Sequence, residues 1–270
     1  VSGLLGGPIW LVGCGNMAGA MLRRWLDAGT IAVEDVTVIN RSGTVPIGGV
    51  RVVTAVPEDE PEPATVMLGV KPQQVDLIAA TAIGRIRPRL LLSILAGVEN
   101  ATLAARFQAD AIVRAMPNLP VAIGKGVVAL HSDSEDQILR EAAAALMAPL
   151  GLVEWIAEER LFDAVTALSG CGPGFVFRFI DAMAAAGAGL GLPEDQARRL
   201  AVATVEGAGL LAGAADASPA TLADRVASPG GSTREGLNVL DREAALRRLM
   251  AETLAASARR NGEMAAAARG

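Results

Sequence analysis

Tyrosine is missing altogether from these 270 residues, histidine occurs once and cysteine twice. Cys14 and Cys171 lie too far apart for a CxxC pair or a local zinc clip, and two thiols cannot form a stapled scaffold, so a reducing, cytoplasmic setting is expected. With His131 as the single imidazole there is no Ser-His-Asp triad, no HExxH helix and no cysteine-histidine cluster, and no metal is expected. His131 falls in a strand-to-helix connection away from the motifs below and reads as a surface residue. Aromatic residues make up 3% of the chain, too few for base-stacking platforms, and the net charge of -5 argues against a nucleic-acid partner. No uninterrupted apolar run reaches the roughly 18 residues of a membrane span. The stretch from Val1 to Trp10 has no basic region ahead of its apolar residues, so neither a membrane partner nor a signal sequence is expected.

What is present is a globular mixture, 51% hydrophobic and 20% charged, long enough for two domains. Up to about residue 156, short β-branched runs alternate with helical stretches: Ile9 to Val12, Val36 to Ile39, Val66 to Val70, Leu90 to Leu95 and Ala111 to Arg114. Runs this apolar suit strands covered on both faces, as in a doubly wound, mostly parallel Rossmann-type sheet. Met17, Met21 and Trp25 share one helical face closed by Gly29, Pro72 suits the first turn of a helix, and Ser132 is placed to cap another that runs to about Leu150. Pro57 to Pro63 reads as a surface loop. After Glu158 the strand signals stop, and helical patterns cover Leu161 to Leu168, Pro173 to Leu190, Glu194 to Leu211, Leu222 to Val226 and Thr233 to about Ala267. The expected division is 1–158, a dinucleotide-binding α/β domain, and 159–270, an all-α half whose Ala- and Gly-rich helices carry too little polar cover to stand alone. A second copy of the chain is the expected cover.

Gly13-Cys14-Gly15-Asn16-Met17 follows an apolar strand and opens an amphipathic helix, the context that a dinucleotide fingerprint requires. Gly13 makes the tight turn, Gly15 admits a pyrophosphate, and Ala18 or Gly19 supplies the small residue for helix-on-strand packing. Cys14 reads as a small filler rather than a nucleophile. Where an NAD-selective site would place an acid after the second strand, the chain has Asn40-Arg41-Ser42; Arg41 can pair with a 2'-phosphate and Ser42 can donate to it, which favours NADPH while admitting NADH. A solvated loop arginine is the plain alternative. Beyond the ends of later strands, where the ligand crevice of an open parallel sheet lies, come Val70-Lys71-Pro72, Ala96-Gly97 and Met116-Pro117-Asn118. Any of these can also be simple turn chemistry. In the helical half, Ser169 to Gly174 reads first as a close-packing glycine turn. Ser228-Pro229-Gly230-Gly231-Ser232-Thr233 exposes amides and hydroxyls at a helix start, able to receive a carboxylate or, more plainly, to cap the helix.

Taken in order, these motifs resemble pyrroline-5-carboxylate reductase over nearly the whole chain, most specifically in Ala167 to Pro173 and in Val226 to Asp241. Cys171 and Gly174 depart from the Ser and Ala expected in the family's glycine-rich turn. The resemblance implies reduction of the cyclic imine 1-pyrroline-5-carboxylate to L-proline by NAD(P)H, in a dimer with interlocking helical halves from which higher oligomers are built. It places Gly13 to Met17, Asn40 to Ser42, Val70 to Pro72, Ala96 and Gly97 on the cofactor, and Met116, Pro117, Asn118, Ser228, Gly230, Gly231, Ser232 and Thr233 on the substrate. Amides near Gly230 to Ser232 would meet the carboxylate and the Thr233 hydroxyl the ring nitrogen. A hydroxyacid dehydrogenase of the same plan would use a helical lysine, and the helical half has none; an imine reductase for other substrates would need a different helical signature, and a non-catalytic nucleotide sensor would leave Ser228 to Thr233 without a task.

Overall fold

A computed structural model describes residues 5–43, 47–57 and 61–269. Eight strands form one sheet in the order β3-β2-β1-β4-β5-β6-β7-β8: β1 Ile9–Val12, β2 Val36–Ile39, β3 Arg51–Val53, β4 Thr65–Leu68, β5 Leu90–Ser93, β6 Ala111–Pro117, β7 Gly126–His131 and β8 Gly151–Trp155. The first six are parallel, in the Rossmann order that reverses between β1 and β4; β7 pairs antiparallel to β6 and β8 parallel to β7.

The apolar runs are strands because both of their faces are covered. Leu11, Val38, Met67, Leu90, Leu92 and Val113 face one core with Met21, Leu22 and Trp25 of α1 (Asn16–Asp27) and with Leu139 and Leu146. Trp10, Val12, Val66, Leu68 and Leu91 face the other, with Ile83, Leu103 and Phe107. α2 (Val75–Ala79) and α3 (Asn100–Ala104) are short, whereas α4 (Gln137–Met147) spans the flank beneath β5 to β8.

Several expectations need correction. Ser132 does not cap α4: its hydroxyl donates to the Ile112 carbonyl at 2.6 Å, and the cap is Asp136, whose carboxylate accepts from the Leu139 N–H at 3.1 Å. His131 is not a surface residue. As the last residue of β7 it is buried, its Nδ1 lying 2.8 Å from the Ile156 carbonyl and its ring edge-on to Phe162. The loop from Pro57 to Pro63 includes residues 58–60, which lie outside the described residues.

Compact units divide the chain later than the change in sequence pattern. One unit runs to Cys171 and resumes at Ser257, and the other is Gly172–Ala256. The first helical residues after 158 stay with the sheet because Phe162 packs with Met116 and Ala129, and Glu159 pairs with Arg114. α5 (Phe162–Val165) then widens into a π-helical turn, Thr166–Gly170. The second unit contains α6 (Gly172–Gly189), α7 (Glu194–Ala214), α8 (Pro219–Arg225) and α9 (Ser232–Asp241). Thr233 to Ala267 is not one helix: α9 ends at a kink where Glu243 takes φ 52, and α10 (Ala245–Arg269) continues from there. None of the eighteen residues of α6 is buried, although Phe177 and Phe179 are among them. Among the described residues no single helix is long and apolar enough to cross a membrane.

Candidate active site

A cleft of about 1010 Å³ opens at the carboxyl ends of β1, β2 and β4. Its floor is Gly13-Cys14-Gly15. Gly13 sits at φ +84, and a Cβ there would stand 2.7 Å from Val70 Cγ1; reciprocally, a Cβ on Gly69 would stand 2.7 Å from the Gly13 carbonyl oxygen and 3.0 Å from Ala18 Cβ. The helix-packing residue of the fingerprint is therefore Ala18. Gly15 differs in kind: its φ of -77 suits any residue, and a Cβ on it would meet nothing within 4 Å. The protein itself has no need of glycine there, so the open space above Gly15 is room for something that the protein does not supply. The uncapped start of α1 lies beside it, and Asn16 and Met17 begin that helix.

Burial pushes the Cys14 thiol up, opposed by the positive charge of Arg23. A thiol so held stays protonated at neutral pH and is a poor nucleophile. Asn40, Arg41 and Ser42 line the second side of the cleft, with the Asn40 amide donating to the Ser42 hydroxyl at 3.0 Å. Arg41 is exposed at the rim. Val70 and Lys71 line the third side, and Pro72 opens the turn into α2, where the Lys71 N–H donates to Gln74 Oε1 at 3.1 Å. Among the described residues lining the cleft none is acidic, so Arg41 and Lys71 set its charge. That balance, the glycine floor and the helix start fit an anionic dinucleotide.

Sequence reading missed one wall. Val56, Pro57, Leu77, Ile78 and Thr81 complete the cleft with aliphatic surface, and Leu77 is 59% exposed. No local pattern in the sequence marks this wall, since the exposure of Leu77 is set by the fold.

Ala96 and Gly97 do not line this cleft. They border a cavity of about 10 Å³ with Arg114, Met116, Asp163, Thr166 and Asn261, and a Cβ on Gly97 would stand 3.1 Å from the Ala265 Cα. Met116 is buried at the end of β6, Pro117 closes that strand, and the Asn118 side chain is engaged with backbone groups.

The remaining residues belong to the second unit. Gly230 takes φ +72 after Pro229, and the Gly231 N–H returns to the Ser228 carbonyl at 3.0 Å, the residue pattern of a type II turn. A Cβ on Gly231 would collide with Ser228 Oγ at 2.6 Å. The N-cap of α9 is Gly231, which supplies no side-chain cap, so Ser232 and Thr233 are the first helical residues rather than caps. Both are exposed. Arg234 braces the turn through Asp224 at 2.8 Å.

A nucleotide-binding sheet of this order, a cleft over a glycine floor whose described lining holds no carboxylate, and a separate unit of uncovered apolar helices define a two-unit, dinucleotide-dependent oxidoreductase. The family model for pyrroline-5-carboxylate reductase dimerisation matches residues 159–264. Pyrroline-5-carboxylate reductase of Synechocystis sp. is 36% identical over 261 residues, covering 94% of this chain and 97% of that protein. The Thermus thermophilus enzyme is 35% identical over 263 residues, covering 94% and 97%. A solved pyrroline-5-carboxylate reductase from Coxiella burnetii superposes with a TM-score of 0.85 at 28% identity, over 95% of this chain and 98% of that one. The Plasmodium falciparum pyrroline carboxylate reductase, solved with NADP bound, shares the fold at a TM-score of 0.81 and 23% identity, over 97% and 99%. This chain belongs to the pyrroline-5-carboxylate reductase family, and its helical region is the dimerisation domain.

Proposed function

We propose that the chain reduces 1-pyrroline-5-carboxylate to L-proline, the last step of proline biosynthesis, with NADPH as the preferred donor. The observation that carries the assignment of the imine site is the uncapped head of α9 behind the Ser228–Gly231 turn. Its free amides at Ser232 and Thr233 suit a carboxylate, and the Thr233 hydroxyl can hydrogen-bond the ring nitrogen. A bound nicotinamide supplies the hydride. The protein's task is to hold the imine carbon toward it and to balance charge, since a protonated imine is already electrophilic and needs no dedicated general acid. Gly13 to Met17 receive the pyrophosphate, Asn40 to Ser42 the adenosine ribose end, and Val70 to Pro72 flank the path toward the sheet end; Ala96, Gly97 and Met116 border the separate small cavity instead. NADP in the P. falciparum relative and the cationic rim support this reading. The working form is a dimer through the helical domain, and higher oligomers assemble from it.

The direct test mixes protein, NADPH and pyrroline-5-carboxylate and follows nicotinamide absorbance; a protein that oxidises no NADPH under these conditions contradicts the assignment. Arg41→Ala should lose about 1.5–3 kcal/mol of apparent affinity for NADPH and little for NADH. Titrations with both cofactors decide it, and equal losses would remove Arg41 from the 2'-phosphate. Thr233→Val keeps the shape and deletes the hydroxyl. Turnover should fall roughly tenfold to a hundredfold with NADPH binding unchanged, and wild-type turnover at limiting imine would leave Thr233 with no part in substrate binding.

A further inference from the structure

Asn118 follows β6, is 7% exposed and spends its carboxamide on backbone. Its Oδ1 accepts from the Val127 N–H at 2.8 Å and its Nδ2 donates to the Ser169 carbonyl at 2.9 Å, while its own N–H donates to the Val127 carbonyl at 3.1 Å. Val127 is on β7, so one residue joins the β6–β7 pair to the π-helical turn. The reason that the turn needs such a donor is written in the chain. A helical carbonyl is ordinarily met by the N–H four residues on, and the residue four after Ser169 is Pro173, which has none. The turn itself is opened by the Cys171 N–H reaching back to the Thr166 carbonyl at 2.8 Å. The Thr166 and Ser169 hydroxyls are turned back to the carbonyls of Phe162 and Val165, at 2.7 and 2.9 Å. Among the described residues the donor to the Ser169 carbonyl is Asn118.

We propose that Asn118 is a positioning residue of the reduction rather than a substrate contact. It compensates the amide missing at Pro173 and locks residues 166–171, the last of the first unit before the second begins, to the end of β6. The π-helical turn is thereby held beside Met116, whose Sδ would stand 4.0 Å from a Cβ on Gly170 and which the resemblance places on the substrate. This inference rests on the imine-site reading above. Its special feature is a coupling between two residues distant in sequence: Asn118 matters because position 173 is proline.

The test is a double-mutant cycle on the full chain, with kcat, the imine KM and the NADPH dissociation constant measured for Asn118→Ala, Pro173→Ala and both together. Asn118→Ala should lower kcat at least about tenfold and leave NADPH binding within about twofold, since the cofactor cleft is untouched. Pro173→Ala, which returns an N–H to the Ser169 carbonyl, should stay within about threefold of wild type, and in its background the Asn118 substitution should cost no more than about threefold. Additive losses would overturn the proposal. So would an Asn118→Ala enzyme with intact kcat and a raised imine KM, which would return Asn118 to the substrate. If Asn118→Ala does not fold, Asn118→Ser carries the same cycle and the same two outcomes. An inactive wild type would refute the functional reading instead, so the two failures are distinguishable.

Discussion

Gly15→Val should fold normally and fail to bind NADPH. Its backbone at φ -77 is open to any residue, and the first atom of the new side chain meets nothing in the protein. What the isopropyl group fills is the open space against the start of α1, the place proposed for the pyrophosphate. A loss of at least about a hundredfold in affinity, about 2.8 kcal/mol, is expected, with the melting temperature close to wild type. Gly13→Ala is the contrasting control, because its Cβ would press on Val70 and on the Gly69–Val70 backbone at a positive φ, and it should cost stability first. Titration calorimetry with thermal unfolding on both variants separates the two glycines; NADPH affinity retained by Gly15→Val would move the pyrophosphate elsewhere.

The second large effect is on assembly. Phe179 on α6 and Leu211 on α7 are 51% and 61% exposed in the single chain, and α6 buries nothing of its own. A dimer interface above about 2,000 Å² in total is expected from such helices. Phe179→Asp with Leu211→Asp would place unpaired charges where apolar area is removed from water, at several kcal/mol each. Sedimentation should show a monomer, and turnover should fall by about a hundredfold or more. An intact dimer would place both residues outside the interface, and a fully active monomer would mean that the dimer has no part in the reaction.

The sequence made the cleft floor legible because everything it needs is contiguous: an apolar strand, two glycines and an amphipathic helix from Ile9 to Asp27. The aliphatic wall of Val56, Leu77 and Ile78 was not legible, since no local pattern unites residues that only the β1–β4 crossover brings to one cleft. His131 was misplaced for a related reason. Its burial depends on β8 and the following Ile156 carbonyl, a partner separated from it by a whole helix. Ser132 had the right chemistry for a cap but is used in the sheet, and the correct cap stands four residues later. The Ser228–Thr233 turn was readable in detail because Pro-Gly-Gly dictates its own geometry. Asn118 stood out in the sequence only as part of Met116-Pro117-Asn118, and its partners Val127 and Ser169 could not be read from the chain.

One feature of the chain's path bears on how the protein is made. The first unit is interrupted: Asp163 and Gly97 meet Asn261 and Ala265 of α10, which belong with the sheet although the whole of Gly172–Ala256 lies between. On the ribosome, synthesis runs from the amino end, so the nucleotide-binding unit emerges with one piece of its surface still unwritten and must wait until the entire helical insert has been translated. During that interval the apolar residues of α6 and α7 are already exposed, ahead of the segment that completes the first unit. Nascent chains should therefore be most prone to aggregate, and most dependent on chaperones, between the synthesis of Gly189 and that of Ser257.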